Sequence, residues 1–225
     1  MTDSRVLAID TSGTSALVAV GRADGTLVAE RRWPAGYRHG EDLLRQIDEL
    51  LTAAGVALAD LSGIVVGTGP GAFTGLRVGL ATAKGLAHGL GAPIAGVPTS
   101  EALLLAARGA RGPEGAEAAL LLPAGPSDRV VVFGGKATLL RGGEEPDLDA
   151  ATTLVAVDLP GRAPAEALAI GQSAEAGLAD ALLELGVARL EAGGDDVARL
   201  VPEYVTLPRG VPVAKGEVRW SHDDR

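Results

Sequence analysis

Residues 67–85 read GTGPGAFTGLRVGLATAKG, and this glycine-rich stretch is the most informative part of the sequence. An apolar run at 63–66 precedes it, which is typical of a buried strand. Pro70 stiffens the turn, and the hydroxyl of Thr74 stands where it could cap a helix over about 74–90. The pattern predicts a strand, a tight turn and a helix, whose N-terminus would suit an anion such as phosphate.

Two features of this stretch favour packing over phosphate binding. No Lys-Ser/Thr pair follows the last turn glycine at the spacing that a P-loop requires. Small residues also recur every four positions along the helix, at Gly75, Gly79, Ala83 and Ala87. Such a stripe lets another helix approach closely, but it would equally allow the helix to pack on the chain's own sheet. Both interpretations stay open at this point.

The residues before the stretch predict three strands and a helix. Apolar runs at 6–9, 16–20 and 26–29 are separated by turn-rich segments, which suits strands joined by hairpins. A helix is predicted over 40–54 because apolar residues recur there at three- and four-residue steps.

The residues after the stretch predict a similar but shorter series. We expect a strand at 94–97, and then a helix over 100–108 that Thr99 could cap. Strands follow at 119–122, 129–133, 137–140 and 153–157, with a Gly-Gly hairpin turn in the FGGK sequence at 133–136. A last helix is predicted over about 174–190.

This order of elements resembles the ribonuclease-H-like lobe shared by acetate kinase, the sugar kinases, Hsp70 and actin, in which the lobe is doubled. The resemblance implies an α/β protein of the actin-like ATPase (ASKHA) fold with two lobes and a reduced second lobe. We expect a first lobe at 1–110, a reduced second lobe at 111–205 and a loosely ordered tail at 206–225.

An aspartate that follows the first strand is a candidate nucleotide ligand. In the ATP-binding members of that superfamily a carboxylate at this place faces the metal and the phosphates. Asp10 and Ser12, together with Gly69 and Gly71, would form that site. Kinases usually have glycine where Ser12 stands, however, and the alternative is an Asx-turn in which Asp10 accepts hydrogen bonds from backbone N–H groups.

The glycine-rich motif closely resembles that of the TsaB (YeaZ) family. Residues 67–79 match its pattern G-x-GPGSFTGLR-hydrophobic-G with Ala72 in place of the usual serine, and Asp10-Thr11-Ser12 match the family's opening. His39 stands where members often have a histidine before the first helix. The resemblance covers about residues 5–108. Beyond it, LPAGPSDR at 122–129 lacks the family's Asp-Ala-Arg element, and PEYV at 202–205 departs from its Pro-x-Tyr-Leu-Arg ending.

The resemblance implies a non-catalytic scaffold subunit that supports threonylcarbamoyladenosine modification of tRNA. Such a subunit pairs with a TsaD-type transferase through first-lobe helices, a TsaE-type ATPase joins the complex, and alone it forms a homodimer through the same surface. The expected interface residues lie on the first two helices: Leu43, Leu44, Ile47, Leu50, Leu51, Gly75, Leu76, Arg77, Gly79, Leu80 and Ala83. Arg77 is expected to form an ion pair across that interface.

Composition limits the other roles. The net charge is −9 and aromatic residues make up 3%, so we expect tRNA to be contacted only indirectly. Cysteine is absent, and no two of the three histidines, His39, His88 and His222, are spaced as a helical metal pair, so we expect no metal and no cofactor. Without an apparent signal peptide or membrane span, a cytoplasmic location is expected.

Two other functions remain as alternatives. An ATP-dependent phosphotransferase of the acetate and sugar kinase type would use Asp10. A peptidase would need a metal or an activated nucleophile, and the sequence offers no sign of either. The paired carboxylates at 144–145, 195–196 and 223–224 are interpreted as solvated surface.

Overall fold

A computed structural model describes residues 4–34, 39–110 and 117–205, which form nine strands and five helices. The predicted tail at 206–225, with His222 and the carboxylate pair at 223–224, lies outside the described residues. In the described part no helix combines the length and the hydropathy that a membrane crossing requires.

The first sheet has five strands in the order β3-β2-β1-β4-β5. Its strands are β1 Arg5–Asp10, β2 Ser15–Arg22, β3 Leu27–Pro34, β4 Leu61–Gly69 and β5 Ile94–Pro98. β1, β2 and β3 pair antiparallel, whereas β1 pairs parallel with β4 and β4 with β5. The three predicted hairpin strands are therefore confirmed, and the edge strand β3 alternates between half-buried and exposed residues as a one-sided strand should.

The second sheet repeats this arrangement with fewer elements. Its strands β6 Ala118–Pro123, β7 Arg129–Phe133, β8 Lys136–Leu140 and β9 Thr153–Ala156 take the order β8-β7-β6-β9. That is the order of the first four strands of the first sheet. Gly134 and Gly135 form the predicted hairpin turn with φ of 56° and 75°. Residues 141–152 contain no helix, although the corresponding connection of the first sheet does, so the second lobe is a reduced copy.

Helices cover both faces of the first sheet. The α-helices of the described residues are α1 His39–Ala54, α2 Phe73–Leu90, α3 Thr99–Ala110, α4 Ala165–Ala176 and α5 Leu178–Glu191. All but α4 pack on the first sheet, whereas α4 packs against β9 of the second. α1 and α2 share a core with Leu7, Ile9 and Ile64, whereas α3 and α5 share another with Ala8 and Val65. Successive strand residues thus enter different cores, because side chains alternate between the faces of a strand.

The predicted helix at 174–190 was wrong in its extent. Two helices, α4 and α5, occupy this region, and the chain breaks between them at Gly177, which has φ −88° and ψ 3°. A Cβ at Gly177 would lie 3.2 Å from the Cβ of Ala106 in α3, so the break brings two helices close together. α5 then packs against the first sheet: a Cβ at Gly186 would lie 2.3 Å from Val65. The division of the chain at residue 110 stays a prediction.

The two predicted threonine caps were also wrong. α2 begins one residue before Thr74, at Phe73, and its N-cap residue Ala72 has no side chain that could accept a bond. Thr99 is the first residue of α3, and its hydroxyl is used by Asp10 and Gly69 instead.

The segment after α5 returns to the edge of the first sheet. The backbone N–H of Asp195 donates to the carbonyl of Ile94 at 2.8 Å, and Gly96 donates to the Asp195 carboxylate at 2.7 Å. Further along this segment, the backbone N–H of Glu203 donates to the carbonyl of Thr68 at 2.8 Å. Asp195 is exposed, as the sequence indicated, and its hydrogen bonds also tie this segment to β5.

Candidate functional site

Asp10 stands at the end of β1 with a carboxylate that the chain itself satisfies. One oxygen, Oδ1, accepts from the backbone N–H of Ser12 at 2.9 Å and from its hydroxyl at 2.7 Å. The other, Oδ2, accepts from the hydroxyl of Thr99 at 2.6 Å. The first of these contacts is the Asx-turn that the sequence left open as the alternative to metal binding.

Burial changes the acidity of Asp10. Only 2% of the residue is exposed. Desolvation raises the pKa of its carboxyl above the ordinary value, although the bonds from Thr99 and Ser12 oppose that change. A carboxylate that is buried and easily protonated is a poorer ligand for a magnesium ion than a solvated one.

The glycines of the 67–79 motif make room for the loop at residues 10–12. A Cβ at Gly67 would lie 1.8 Å from Oδ2 of Asp10, and one at Gly71 would lie 2.3 Å from the carbonyl of Ser12. At Gly75 it would lie 2.0 Å from the carbonyl of Thr11. The three glycines, each four residues from the next, therefore all lie against the loop at 10–12.

The same contacts occupy backbone groups that a phosphate would need. The N–H of Ala72 donates to the carbonyl of Ser12 at 2.7 Å, and the N–H of Gly69 donates to the hydroxyl of Thr99 at 3.1 Å. Thr11 donates its hydroxyl to the carbonyl of Gly75 at 2.7 Å. Of the four predicted nucleotide residues, Asp10, Ser12 and Gly69 are tied into this internal network, and Gly71 provides the space for it.

A cleft of about 900 Å³ lies between the two sheets. Asp10, Ser12 and Gly71 line it from the first lobe, and Leu122 and Val157 line it from the second. Most of its lining is apolar. The cleft is where a ligand between two lobes would sit. Two cations line it, Arg32 and Arg141, and Arg32 is already bonded to Glu30 and to the carbonyl of Ala176.

Two contacts hold the lobes together across the cleft. Asp158 follows β9 with φ 57°, and its carboxylate accepts from the backbone N–H of Thr14 at 2.8 Å and from the Thr14 hydroxyl. Arg32 of β3 donates to the carbonyls of Glu175 and Ala176 at the end of α4. Burial, followed by the nearby charge of Asp158, raises the pKa of the Glu175 carboxyl.

Most of the predicted interface residues are buried inside the chain. Their side chains pack against the first sheet because the wider apolar face of each helix turns inward: Leu43, Ile47, Leu50, Leu51, Gly75, Leu76, Gly79, Leu80 and Ala83. Only Leu44, which is 56% exposed, and Arg77 point away from this core. Of the predicted residues, a partner at this surface would therefore meet Leu44 and Arg77, and its other contacts would involve residues that were not predicted.

The sequence missed a second stripe of small residues on α2. Ala81, Gly85 and Gly89 follow Arg77 at four-residue steps and are all exposed. A Cβ at Gly85 or Gly89 would meet no atom within 4 Å. The only signal was the same spacing that marks the buried stripe, so the sequence could not separate the two.

Arg77 belongs to a cluster at the start of α2. Its guanidinium carbon lies 3.7 Å from the centre of the Phe73 ring, and its Nε donates to the hydroxyl of Tyr204 at 2.9 Å. The rings of Phe73 and Tyr204 are 5.0 Å apart. Tyr204 comes from the 202–205 segment, so the end of the described chain closes on the glycine-rich motif.

The other candidate groups have simple structural roles. Glu145 is exposed, as the sequence indicated, and its carboxylate also pairs with the buried Arg129 at 3.0 Å. His88 is exposed on α2 as expected, and α1 begins at His39. Among the described residues no group of three or more His, Cys, Asp or Glu side chains could hold a metal ion.

Known proteins resemble this chain at both the sequence and the structural level. A family model described as TsaD, tRNA N6-adenosine threonylcarbamoyltransferase, matches residues 34–187. The tRNA threonylcarbamoyladenosine biosynthesis protein TsaB of Escherichia coli is 39% identical over 106 residues, 47% of this chain and 44% of that protein. An uncharacterized protein of Mycobacterium tuberculosis is 43% identical over 102 residues, 44% of this chain and 48% of that protein.

The structural match is longer. YeaZ from Pseudomonas aeruginosa superimposes with a TM-score of 0.67 at 26% identity, covering 90% of this chain and 100% of that one. The sequence matches, by contrast, span less than half the length of the curated relatives. Because the family model covers more than half of the chain and the YeaZ fold nearly all of it, the chain belongs to the TsaD family and, within it, to the TsaB (YeaZ) group, with the actin-like ATPase (ASKHA) fold.

Proposed function

We propose that this chain is a non-catalytic subunit of the machinery that forms threonylcarbamoyladenosine in tRNA. The name of the Escherichia coli relative refers to biosynthesis of that nucleoside, and the family model describes the transferase itself. In this proposal the chain binds a TsaD-type transferase subunit in the cytoplasm and contacts tRNA only through the complex.

The exposed face of the first two helices supports a partner there. We call this surface the outer face; it comprises Leu44 of α1 with Ala81, Gly85 and Gly89 of α2. The three small residues leave open space above the helix backbone, and Leu44 adds an exposed apolar side chain. Small residues in a row allow a partner helix to approach closely and bury apolar area.

The internal network around Asp10 supports a non-catalytic role. A phosphotransferase would need an accessible carboxylate for the metal and free N–H groups for the phosphates. Here Asp10 is buried and bonded to Ser12 and Thr99, and the N–H of Ala72 is taken by the carbonyl of Ser12. The alternative of an ATP-dependent phosphotransferase therefore receives less support than the scaffold.

The proposal extends to two further assemblies. A TsaE-type ATPase would join the pair of subunits, and the chain alone would form a homodimer through the outer face. The homodimer and the heterodimer would then compete for one surface, so addition of the TsaD-type subunit is expected to dissociate the homodimer.

Size-exclusion chromatography with light scattering tests the partner. The chain would be mixed with the TsaD-type subunit of the same organism, using wild type and Gly85→Leu, which places a large side chain in open space on the outer face. We expect a 1:1 complex for wild type and none for Gly85→Leu. Leu80 is a less suitable target, because it is buried and its replacement would test folding instead.

The matched control is Ala188→Leu, which introduces the same side chain at an exposed position of α5. This variant should bind the partner like wild type. Equal binding by Gly85→Leu would contradict the assignment of the outer face. Transfer of the threonylcarbamoyl group to tRNA by the purified chain alone, measured by mass spectrometry of digested tRNA, would contradict the non-catalytic role.

A further inference from the structure

Arg77 is a cation held in a fixed position without an acidic partner. Among the described residues it takes part in no ion pair, whereas Arg31 and Arg189 each have one and Arg45 has two. Its Nε is bound to the Tyr204 hydroxyl, and within the described part of the chain its two Nη groups donate to nothing. Arg108 and Arg199 are likewise exposed and in no ion pair among the described residues, but Arg77 differs from them because aromatic side chains hold its guanidinium.

The surroundings of Arg77 fix the plane of its guanidinium. Phe73 stacks against it with 3.7 Å between the guanidinium carbon and the ring centre, and Tyr204 holds Nε. Arginine normally loses side-chain entropy when it binds, and a side chain that is already ordered loses less of it. The arrangement leaves the two Nη groups, a planar fork that suits bidentate binding of a carboxylate.

Tyr204 in turn is held by the strand that leads into the motif. Its neighbour Glu203 donates its N–H to the carbonyl of Thr68 at 2.8 Å and accepts from the Thr68 hydroxyl at 3.0 Å. The position of Arg77 thus depends on residues 203–204 of the C-terminal segment as well as on α2.

We infer that Arg77, positioned by Phe73 and Tyr204, binds a carboxylate side chain of the protein partner that docks on the outer face. Arg77 lies at the N-terminal end of the stripe formed by Ala81, Gly85 and Gly89, four residues before its first member. A partner helix on that stripe would bring its own side chains within reach of the guanidinium fork. Tyr204 is a positioning residue in this account, since it acts through Arg77.

A nucleic-acid phosphate is the other anion that such a fork could bind, and the charge of the chain argues against it. A polyanion approaching this surface would meet the field of a protein with nine excess negative charges. A single carboxylate on a partner helix is repelled less by that field than a polyanion. The docked helix also buries apolar area and excludes solvent around the ion pair, which stabilises it.

The inference rests on the proposed function, and affinity measurements at several salt concentrations test it. The full chain would be titrated with the TsaD-type subunit of the same organism by calorimetry at about 50, 150 and 500 mM NaCl, because the Debye length decreases over this range. The variants are Arg77→Gln, Arg77→Lys, Tyr204→Phe and, as a charge-matched control, Arg108→Gln at an exposed site on α3.

We expect Arg77→Gln to weaken binding by about 30-fold at low salt and to remove most of the salt dependence. Arg77→Lys should restore the salt dependence but only part of the affinity, because an ammonium group cannot bind bidentately. Tyr204→Phe should weaken binding by about threefold to tenfold, consistent with the loss of one hydrogen bond. Arg108→Gln should bind like wild type, and all variants should melt like wild type when alone.

The possible failures are distinguishable. If wild type forms the complex and Arg77→Gln binds equally well, the inference is overturned while the proposed function stands. If wild type forms no complex, the proposed function fails and the inference fails with it. If Arg77→Gln instead abolishes binding of purified tRNA by the chain alone, measured by fluorescence anisotropy, the ligand is a phosphate and the carboxylate is overturned.

Discussion

At the scale of single residues, Asp10 shows how burial converts a candidate catalytic group into a structural one. Its carboxylate is bonded to Ser12 and Thr99, and a Cβ at Gly67 would overlap with it. The same carboxylate with a solvated face would be a metal ligand, so the environment decides its role and the residue type does not.

The pH dependence of stability should report the burial of Asp10. Its folded pKa lies above the unfolded value near 3.8, so between the two values the native state binds more protons. The free energy of unfolding contributed by Asp10 therefore decreases as the pH rises through that window, by at most about 1.4 kcal/mol per pH unit. Urea unfolding of wild type and Asp10→Asn from pH 4 to 8 should show wild type losing stability relative to the variant.

Asp24 provides a control of opposite sign. Hydrogen bonds from Thr26, the backbone N–H first, lower the pKa of the Asp24 carboxyl. Its contribution to stability is present above the unfolded pKa of 3.8 and is lost as the pH falls below it. Measurements extended below pH 3.8 should therefore show the stability of wild type increasing relative to Asp24→Asn as the pH rises. A difference between wild type and Asp10→Asn that is flat, or that increases with pH, would contradict the assignment for Asp10.

At the scale of elements, α2 carries two stripes of small residues with opposite tasks. Gly75, Gly79, Ala83 and Ala87 are buried, whereas Ala81, Gly85 and Gly89 are exposed. The buried stripe brings the helix against the loop at 10–12. The exposed stripe leaves open space above the helix backbone at Gly85 and Gly89.

The two stripes should respond differently to the same substitution. Gly75→Ala places a Cβ 2.0 Å from the backbone carbonyl of Thr11, which cannot rotate away. We expect it to lower the free energy of unfolding by about 1–3 kcal/mol or more. Gly85→Ala has open space and should raise it by about 0.5–1 kcal/mol, since alanine favours helix.

Urea unfolding monitored by circular dichroism measures both changes. Equal stability of Gly75→Ala and wild type would show that the close contact with Thr11 is absent in solution. A loss of stability in Gly85→Ala would show that a Cβ at this position meets other atoms, either within the chain or across the proposed homodimer.

At the scale of the whole molecule, the two lobes are joined by a residue in a costly conformation. Asp158 has φ 57°, which non-glycine residues rarely adopt, and its carboxylate binds both the N–H and the hydroxyl of Thr14. The hydrogen bonds across the cleft offset the backbone cost. α5 adds a second connection, because it follows the second lobe in sequence but packs on the first sheet.

Two substitutions of Asp158 distinguish the energetic cost of its positive φ from the stabilisation by its hydrogen bonds to Thr14. Asp158→Ala loses both bonds and keeps a Cβ at positive φ, so we expect a loss of about 2–4 kcal/mol of unfolding free energy. Asp158→Gly loses the same bonds without the Cβ and should cost about 1 kcal/mol less. Thermal and urea unfolding measure the loss of stability in both variants.

A double-mutant cycle with Thr14→Ala is the control. The double variant Thr14→Ala/Asp158→Ala should be at most about a few tenths of a kcal/mol less stable than Asp158→Ala, because the two residues share the interaction. Fully additive effects would show that Thr14 and Asp158 do not act together across the cleft.

The sequence by itself determined the order of the elements through β9, the family and the hairpin at Gly134-Gly135, because these depend on local periodicity, turn chemistry and a long motif. Only the tertiary structure decided which stripe of α2 is buried, since both have the same spacing and their fate depends on where the loop at 10–12 lies. It likewise decided that Thr99 binds Asp10 instead of capping α3, and that Arg77 meets Tyr204. These contacts join residues 89 and 127 positions apart, and no local pattern specifies such a distance in the chain.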